Sequence, residues 1–321
     1  MKASLTSEHA KHPGGTSPYR LPSGLNERVE EKLSHVRQLT NRFTPVRCAV
    51  VPAPFANEIA NLANRIINAP PSDEQELQTW EEGIAQLSNK IDEFDQSVEE
   101  AREAVPPLHA PPEPEYPWYP WSLTTGQWEG PLAVRNLVVE SLVSCKDAVI
   151  TAWGYTEGVC ARFRERDVDL LLAAYGHGPV GPFFVPTLGR VTCYLRASIP
   201  NGITLFVRRP TTLDWLGRKL PWLGKALGSA GLSGDTDFDK AFQVDGNSGI
   251  AAALLTDSVR QLLRTYPIER LVIANGTVEA IWITMWAERG VTVLPNPAVA
   301  MVVAVVESVR AALGAPSVQP R

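Results

Sequence analysis

The chain has 321 residues, of which 44% are hydrophobic and 20% are charged, and its formal net charge is −5. This length allows two domains, and the composition is ordinary for a globular protein. A negative net charge does not attract the phosphate backbone of nucleic acids, so we expect no nucleic-acid partner.

The four cysteines, Cys48, Cys145, Cys160 and Cys193, are far apart in the sequence. No C-x-x-C pair and no Cys/His cluster of zinc spacing occurs, which favours buried, reduced thiols. The N-terminus lacks the apolar core of a signal peptide. The longest apolar run, 298–306, is shorter than the roughly 20 residues that span a bilayer. We therefore expect a cytoplasmic protein.

Residues 1–24 are polar and contain several glycines and prolines, which predicts a disordered tail. Residues 25–104 have the pattern of three amphipathic helices. In the first two, apolar residues recur at spacings of three and four, from Val29 to Leu39 and from Phe55 to Ile66. Prolines bracket both helices. Ser72, three residues ahead of Gln75, forms a capping-box pattern that predicts the start of the third helix.

The third helix has the most regular apolar pattern in the chain: Leu77, Trp80, Ile84, Leu87, Ile91, Phe94, Val98 and Ala101. Such a seam needs a helical partner, either from this chain, giving an antiparallel bundle, or from a second copy, giving a coiled coil. We favour the bundle, because the apolar faces of the two preceding helices must also be buried. Eleven acidic and two basic residues lie between Asp73 and Glu103. This excess of negative charge indicates that the outer face of the helix is solvated. The alternative is that this face binds a basic partner.

Residues 105–122 are rich in proline and aromatic residues, which predicts a linker with polyproline-II geometry. The aromatic residues Tyr116, Trp118 and Trp121 are unusual for a solvated spacer. We expect them to lie in a groove on the following domain of this chain, or alternatively in the groove of a partner protein.

Residues 123–313 have the pattern of an α+β domain, and 314–321 that of a tail. A helix at 132–145 is followed by apolar, β-rich runs, at 148–155, 159–164, 168–174, 190–199 and 203–208. Their close succession predicts an antiparallel meander. Residues 271–284 form a predicted hairpin around Asn275-Gly276, a pair typical of type I′ turns. A final helix begins near Pro297, with apolar residues at helical spacing up to Leu313.

Three carboxylates at alternate positions, Asp235, Asp237 and Asp239, resemble the first ligands of a calcium loop. The rest of that pattern is missing, because Lys240 stands where glycine is needed and Gly246 where glutamate is needed. They are therefore only weak metal candidates. The alternative, which we favour, is a structural corner in which the apolar residues Phe238, Phe242 and Val244 are expected to face the core and anchor it.

Two other segments have features of functional sites. His177 lies in a glycine-rich stretch, but no carboxylate or nucleophile elbow accompanies it, so we expect an exposed loop histidine. Trp215 and Trp222 lie among leucines and basic residues, a composition typical of membrane-surface helices. Glycines and a proline interrupt that segment, which favours a short connection packed on the sheet over membrane contact.

The run Gly234-Asp-x-x-Phe238-Asp-x-x-Phe242-x-Val244-x-Gly246, followed by Ala253-Leu-Leu-Thr-x-x-Val259-x-x-Leu262-Leu, resembles a widespread group of uncharacterised bacterial domains. The resemblance covers residues 145–313. It implies a meander of short strands before this run, and it implies no catalytic residues. Many proteins of the group carry transmembrane helices before the domain, whereas this chain has a helical module there.

Together these patterns predict an α+β fold with an N-terminal antiparallel helical bundle or coiled coil and a C-terminal antiparallel sheet with packed helices. The leading functional hypothesis is a non-catalytic interaction or scaffold protein without a cofactor, which binds a protein partner or a second copy through the heptad helix. The expected interaction residues are Trp80, Ile84, Leu87, Ile91, Phe94, Tyr116, Trp118 and Trp121. The alternatives are an enzyme of unrecognised type and a peripheral membrane protein.

Overall fold

A computed structural model describes residues 23–109, 140, 142, 148–153, 158–177, 190–210, 235–285 and 294–314. The first part of the chain is helical: α1 is Ser23–Thr40, α2 is Pro45–Val50, α3 is Ala53–Asn68 and α4 is Glu74–Glu103. The chain divides into two compact units: one comprises Met1–Asn41 and Asn57–Ile91, the other Arg42–Ala56 and Asp92–Arg321. Helix α2 and the last part of α4 thus belong to the sheet-containing unit, although the sequence predicted one helical module over 25–104.

In the first unit, contacts along α3 and α4 show that the two helices are antiparallel. The indole Nε1 of Trp80 donates to the backbone carbonyl of Ile66 at 2.9 Å, near the end of α3. Further along α4, Lys90 pairs with Glu58, near the beginning of α3, at 2.8 Å. Helix α1 joins them, since Arg28 pairs with Glu74 at 2.8 Å. The apolar faces of the three helices are buried.

Helix α4 is capped one residue later than the sequence predicted. The carboxylate of Asp73 accepts from the backbone N–H of Gln75 at 3.0 Å and of Glu76 at 2.8 Å. Glu76 in turn accepts from the backbone N–H and the hydroxyl of Ser72. Asp73 is therefore the N-cap of α4, while Glu76 holds the preceding residue Ser72, and both carboxylates also interact favourably with the helix dipole.

The second unit contains one antiparallel sheet, which in the described residues has eight strands in the order β1-β2-β3-β4-β8-β7-β5-β6. The strands are β1 Val149–Trp153, β2 Gly158–Glu165, β3 Val168–His177, β4 Arg190–Ser198, β5 Leu205–Arg208, β6 Gln243–Gly246, β7 Ile268–Ala274 and β8 Thr277–Met285. The later helices are α5 Thr236–Ala241, α6 Ser248–Leu254, α7 Asp257–Thr265 and α8 Asn296–Leu313. The predicted α+β class is confirmed.

The predicted meander holds for β1 to β4, but its fifth strand was wrongly placed. Strand β4 pairs along its whole length with β8, from Arg190 opposite Met285 to Ser198 opposite Thr277. The short strand β5 lies instead between β6 and β7. A nine-residue partner offers β4 a complete ladder of hydrogen bonds, which a four-residue strand cannot provide.

Two tight turns fix the hairpin registers. In the β7–β8 turn, Asn275 has a φ of 51° and Gly276 a φ of 73°, which confirms the predicted type I′ geometry. The β2–β3 turn also has two residues with positive φ, Arg166 at 47° and Asp167 at 61°. The predicted strands 159–164 and 168–174 imply a turn here, but the sequence did not predict its type, because arginine rarely adopts a positive φ.

Helix α8 closes the core of the second unit and packs against β4, β8, α2, α6 and α7. Its buried side chains are Ala298, Met301, Val302, Val303, Val305, Val306, Val309 and Leu313. Of the described helices, it is the one long and apolar enough to cross a membrane by length and composition. Burial of its side chains beside the sheet gives this apolar composition a structural reason.

Candidate interaction surface

The two faces of the sheet differ in burial. Along β4, Cys193 and Leu195 are fully buried, whereas Tyr194 and Arg196 are half-buried. Because successive side chains of a strand point to opposite faces, these pairs lie on different sides of the sheet. The fully buried set faces the helical layer, where α8 contacts β4 and β8. We refer to the side that carries Tyr194 and Arg196 as the outer face.

The strand registers show which side chains share the outer face. Opposite residues on neighbouring strands lie on the same face. One row runs from Arg162 through Leu171 and Arg196 to Glu279, and the next from Cys160 through Ala173 and Tyr194 to Ile281. We define the linker side of the outer face as Cys160, Arg162, Leu171, Ala173, Tyr194 and Arg196.

The chain segment that follows α4 lies on this linker side. Leu108 packs against the buried cluster of Cys160, Leu171 and Ala173, with Tyr194 alongside. The guanidinium of Arg162 donates to the carbonyl of Leu108 at 2.9 Å. The guanidinium of Arg196 donates to the next carbonyl, that of His109, at 2.9 Å. The first residues of the predicted linker are thus held on the sheet-containing unit, whereas Tyr116, Trp118 and Trp121 lie outside the described residues.

Gly276 of the β7–β8 turn makes room for this segment. A Cβ atom at this position would lie 2.4 Å from Cγ of Pro106 and 2.7 Å from Oδ1 of Asn201. Side chains cannot approach so closely, and a φ of 73° already favours glycine. The same glycine therefore serves both the turn and the close approach of the proline.

The other half of the outer face exposes apolar side chains. Phe206 on β5 is 40% exposed and Ile283 on β8 is 38% exposed. Val272 and Ile281 are half-buried, and the register pairs Phe206 with Val272. We call these four residues the open side. Exposed Arg270 lies opposite Ile281 on the neighbouring strand. Charged Arg270 and Glu279 lie between these apolar side chains on the same face, and such a mixture of exposed apolar and charged side chains is typical of protein-binding surfaces.

The interaction residues predicted on the heptad helix lie in the chain's own interior. Trp80, Ile84, Leu87 and Ile91 are buried in the first unit. Phe94 is buried in the second unit and stacks on Phe43, with ring centroids 4.4 Å apart. A partner that used this seam would have to displace the chain's own side chains.

The aspartates of the possible calcium loop have structural contacts instead. Asp235 caps α5, accepting from the backbone N–H of Asp237 at 3.0 Å and of Phe238 at 2.9 Å. Its other oxygen accepts from Arg264 at 2.9 Å. Asp237 pairs with Lys240 at 2.8 Å, and Asp239 is partly exposed. In the part of the chain that the structure describes, no group of three or more His, Cys, Asp or Glu side chains is placed to hold a metal ion.

We expect Asp235 to make stability depend on pH in the acid range. The N–H of Phe238 is the main cause that lowers the pKa of this carboxyl, with Arg264 adding to it. Because the pKa of Asp235 is lower in the folded chain than in the unfolded chain, its charged form stabilises the fold at pH values above the unfolded-state pKa. This contribution to stability is lost as the pH falls through the folded-state pKa.

The variant Asp235→Asn tests this, because asparagine also caps helices but carries no charge. It should be less stable than the original chain at pH 7, and the difference should disappear as the pH is lowered. Urea unfolding of both chains along a pH series measures the effect. A difference that stays constant over the series would contradict it.

A separate cleft of about 490 Å³ lies at the end of the sheet, between Val168, Ile199 and Val309. Its floor is apolar, and its rim includes Arg310 and Asp167. Arg310 already donates to the backbone carbonyl of Asp167 at 3.2 Å. The side chains around the cleft therefore do not form a cluster of free polar groups directed at a ligand, and we assign it no role.

His177 was predicted on a loop, but it is the last residue of β3, opposite Arg190 in the register, because the β3–β4 ladder extends to this position. Trp215 and Trp222 lie outside the described residues. Cys160 and Cys193 are both buried, and burial raises the pKa of the Cys193 thiol far above its ordinary value. A thiol with such a pKa stays protonated and is a poor nucleophile.

Comparison with known proteins assigns neither a family nor a function. No protein-family model, no curated protein and no solved structure matches this chain.

Proposed function

We propose that the protein is a non-catalytic interaction or scaffold protein that binds a protein partner through the open side of its sheet. One observation carries the proposal: Phe206 and Ile283 are large apolar side chains that remain more than a third exposed on a regular sheet. Exposing them to water costs free energy that a partner's apolar surface would recover. Arg270 beside them is of the residue type most enriched, with aromatics, in binding hot spots.

The linker side supports the same proposal in a different way. There the sheet already holds a segment without regular secondary structure, through one apolar side chain and two arginine–carbonyl hydrogen bonds. The outer face can therefore accept polypeptide in addition to its own strands. A second copy bound through the heptad seam, the partner expected from the sequence, is less well supported because that seam is buried.

Site-specific photo-cross-linking tests the proposal. A benzophenone amino acid is placed at Phe206 or at Ile283 in the full chain, and at exposed Gln78 on α4 as the control. In cells that make these variants, we expect discrete adducts from the two sheet positions and none from Gln78. The protein identified in the adduct is then purified, and its affinity for the original chain is measured.

The variant Phe206→Ser should weaken that affinity about tenfold, the effect typical of an interfacial aromatic residue. Gln78→Ser is the matched control and should leave the affinity unchanged. The proposal fails if neither sheet position gives an adduct, or if Phe206→Ser binds the purified partner as tightly as the original chain.

A further inference from the structure

We propose that the linker side of the outer face is a binding site for extended Pro-x-Leu segments of other proteins, and that the chain's own Pro106-Pro107-Leu108 occupies it as a competitor. This inference rests on the proposed interaction function, but it uses the half of the face opposite the open side. The partner is defined by its chemistry: an extended backbone with a proline and, two residues later, a leucine.

Two arginines recognise the backbone of the bound segment. Arg162 and Arg196 donate to consecutive carbonyls, those of Leu108 and His109. Such hydrogen bonds to a charged donor do not depend on which side chains the segment carries. Arg196 is itself held by an ion pair with Glu279, its cross-strand neighbour on β8. The donor is therefore fixed in position before a segment binds.

Two contacts recognise side chains. Leu108 packs against the cluster of Cys160, Leu171 and Ala173, and Tyr194 packs against the same cluster. Pro106 lies against Gly276, where a Cβ atom would be 2.4 Å from its ring. Residues two apart in an extended segment point to the same side, so a proline and a leucine at this spacing reach the sheet together. Pro107 and His109 are exposed, which leaves their identity free.

The prolines also prepare the segment for binding. A proline fixes its own φ and excludes the helical conformation for the residue before it, so Val105 and Pro106 are extended whether bound or not. Little backbone entropy is lost on binding, which is the reason that proline-rich segments are common ligands of protein grooves.

The resident segment is held mainly by its covalent connection. Leu108 is only half-buried, and both arginine hydrogen bonds are exposed to water. Contacts of this kind are individually weak, but a tethered segment has an effective concentration of the order of 1 mM at its site. A partner segment can therefore replace it only when it binds more tightly or when the resident segment is weakened.

A peptide-binding experiment on the full chain tests this. The probe is a fluorescent peptide of residues 103–112, Glu-Ala-Val-Pro-Pro-Leu-His-Ala-Pro-Pro, and its anisotropy is measured with the original chain and with Leu108→Asp. We expect the original chain to bind the probe no more tightly than about 1 mM, because the tethered segment competes. The variant Leu108→Asp should bind it at least tenfold more tightly, since its own segment no longer fits.

Three controls make the result decisive. A peptide with aspartate in place of leucine should not bind, and the chain with Leu108→Asp, Arg162→Ala and Arg196→Ala together should lose binding of the original peptide. If Leu108→Asp does not fold, the double variant Pro106→Ala, Leu108→Ala is used instead, since its own segment should also no longer occupy the site. The inference is overturned if a folded vacated variant fails to bind the peptide up to 1 mM, or if removing both arginines has no effect. Cross-linking from Phe206 in the same variants reports separately on the open side, so failure of one proposal is distinguishable from failure of the other.

Discussion

Replacing Asp95 by asparagine is expected to lower the free energy of unfolding by about 3 kcal/mol, because it leaves the buried charge of Arg47 without its anionic partner. The guanidinium of Arg47 is 2% exposed, and its Nη2 pairs with Asp95 at 2.7 Å. Its Nη1 donates to the backbone carbonyl of Arg42, and its Nε has no hydrogen-bond partner in the described part of the chain. The guanidinium also lies over the ring of Phe94, 5.4 Å from the centroid. Arg47 is thus enclosed more completely than Asp95, whose side chain is 27% exposed.

Asp92 is the matched control, because it is on the same helix and pairs with Arg42 at 3.6 Å but is 71% exposed. Asp92→Asn should change the stability by less than about 0.5 kcal/mol, as is usual for exposed ion pairs. Adding Arg47→Met to Asp95→Asn should restore part of the loss, since the stranded charge is then removed. Urea unfolding followed by circular dichroism measures all three variants. Equal effects of Asp92→Asn and Asp95→Asn would contradict the buried-charge explanation.

Phe242→Ala is expected to lower the free energy of unfolding by about 3–5 kcal/mol, the range for truncating a buried aromatic residue. Phe242 is buried at the junction of α5 and β6, and its ring stacks on Phe238 with centroids 4.7 Å apart. The guanidinium of Arg209 covers it at 5.3 Å. Truncation therefore removes three kinds of contact at once and leaves a cavity that the sheet and helices around it cannot fill.

Asp237→Ala, five positions earlier, is the control for Phe242→Ala. Asp237 is exposed and its ion pair with Lys240 lies in water, so we expect a change of less than about 0.5 kcal/mol. Thermal and urea unfolding of both variants give the comparison. If Asp237→Ala cost more stability than Phe242→Ala, the carboxylates rather than the aromatic anchors would be the essential feature of this segment.

Local sequence signals predicted the parts of the fold that depend on neighbouring residues. The Asn275-Gly276 turn follows from the positive φ that both residues accept, and α8 follows from apolar residues repeated at helical spacing. The position of β5 between β6 and β7 has no such signal, because it depends on which distant strand completes each ladder. The pair of Arg47 with Asp95 is equally inaccessible to sequence patterns, since 48 residues separate its members.

The candidate site was harder to predict than the fold. The heptad pattern correctly predicted that α4 packs against other helices. Such a pattern does not show whether those helices belong to this chain or to another. On β4, the alternation of Cys193, Tyr194, Leu195 and Arg196 does indicate one face less buried than the other. What lies on that face depends on the path of residues 105–109, which no local pattern determines. The resemblance of residues 145–313 to uncharacterised bacterial domains stays a prediction.

The pairing of β4 with β8 has a consequence for how the sheet assembles. Strands β1 to β4 are consecutive in the chain and pair in sequence, so this half of the sheet can form from local contacts, whereas β5 pairs with β7 across residues 209–267. The ladder that joins the halves connects Arg190–Ser198 with Thr277–Met285, and 78 residues, 199–276, lie between these two strands. Closing so long a loop is slow, because its entropy is lost before the contacts are gained. We therefore expect β1 to β4 to pair first, and the outer face, which spans the β4–β8 ladder, to be complete only in the final step of folding.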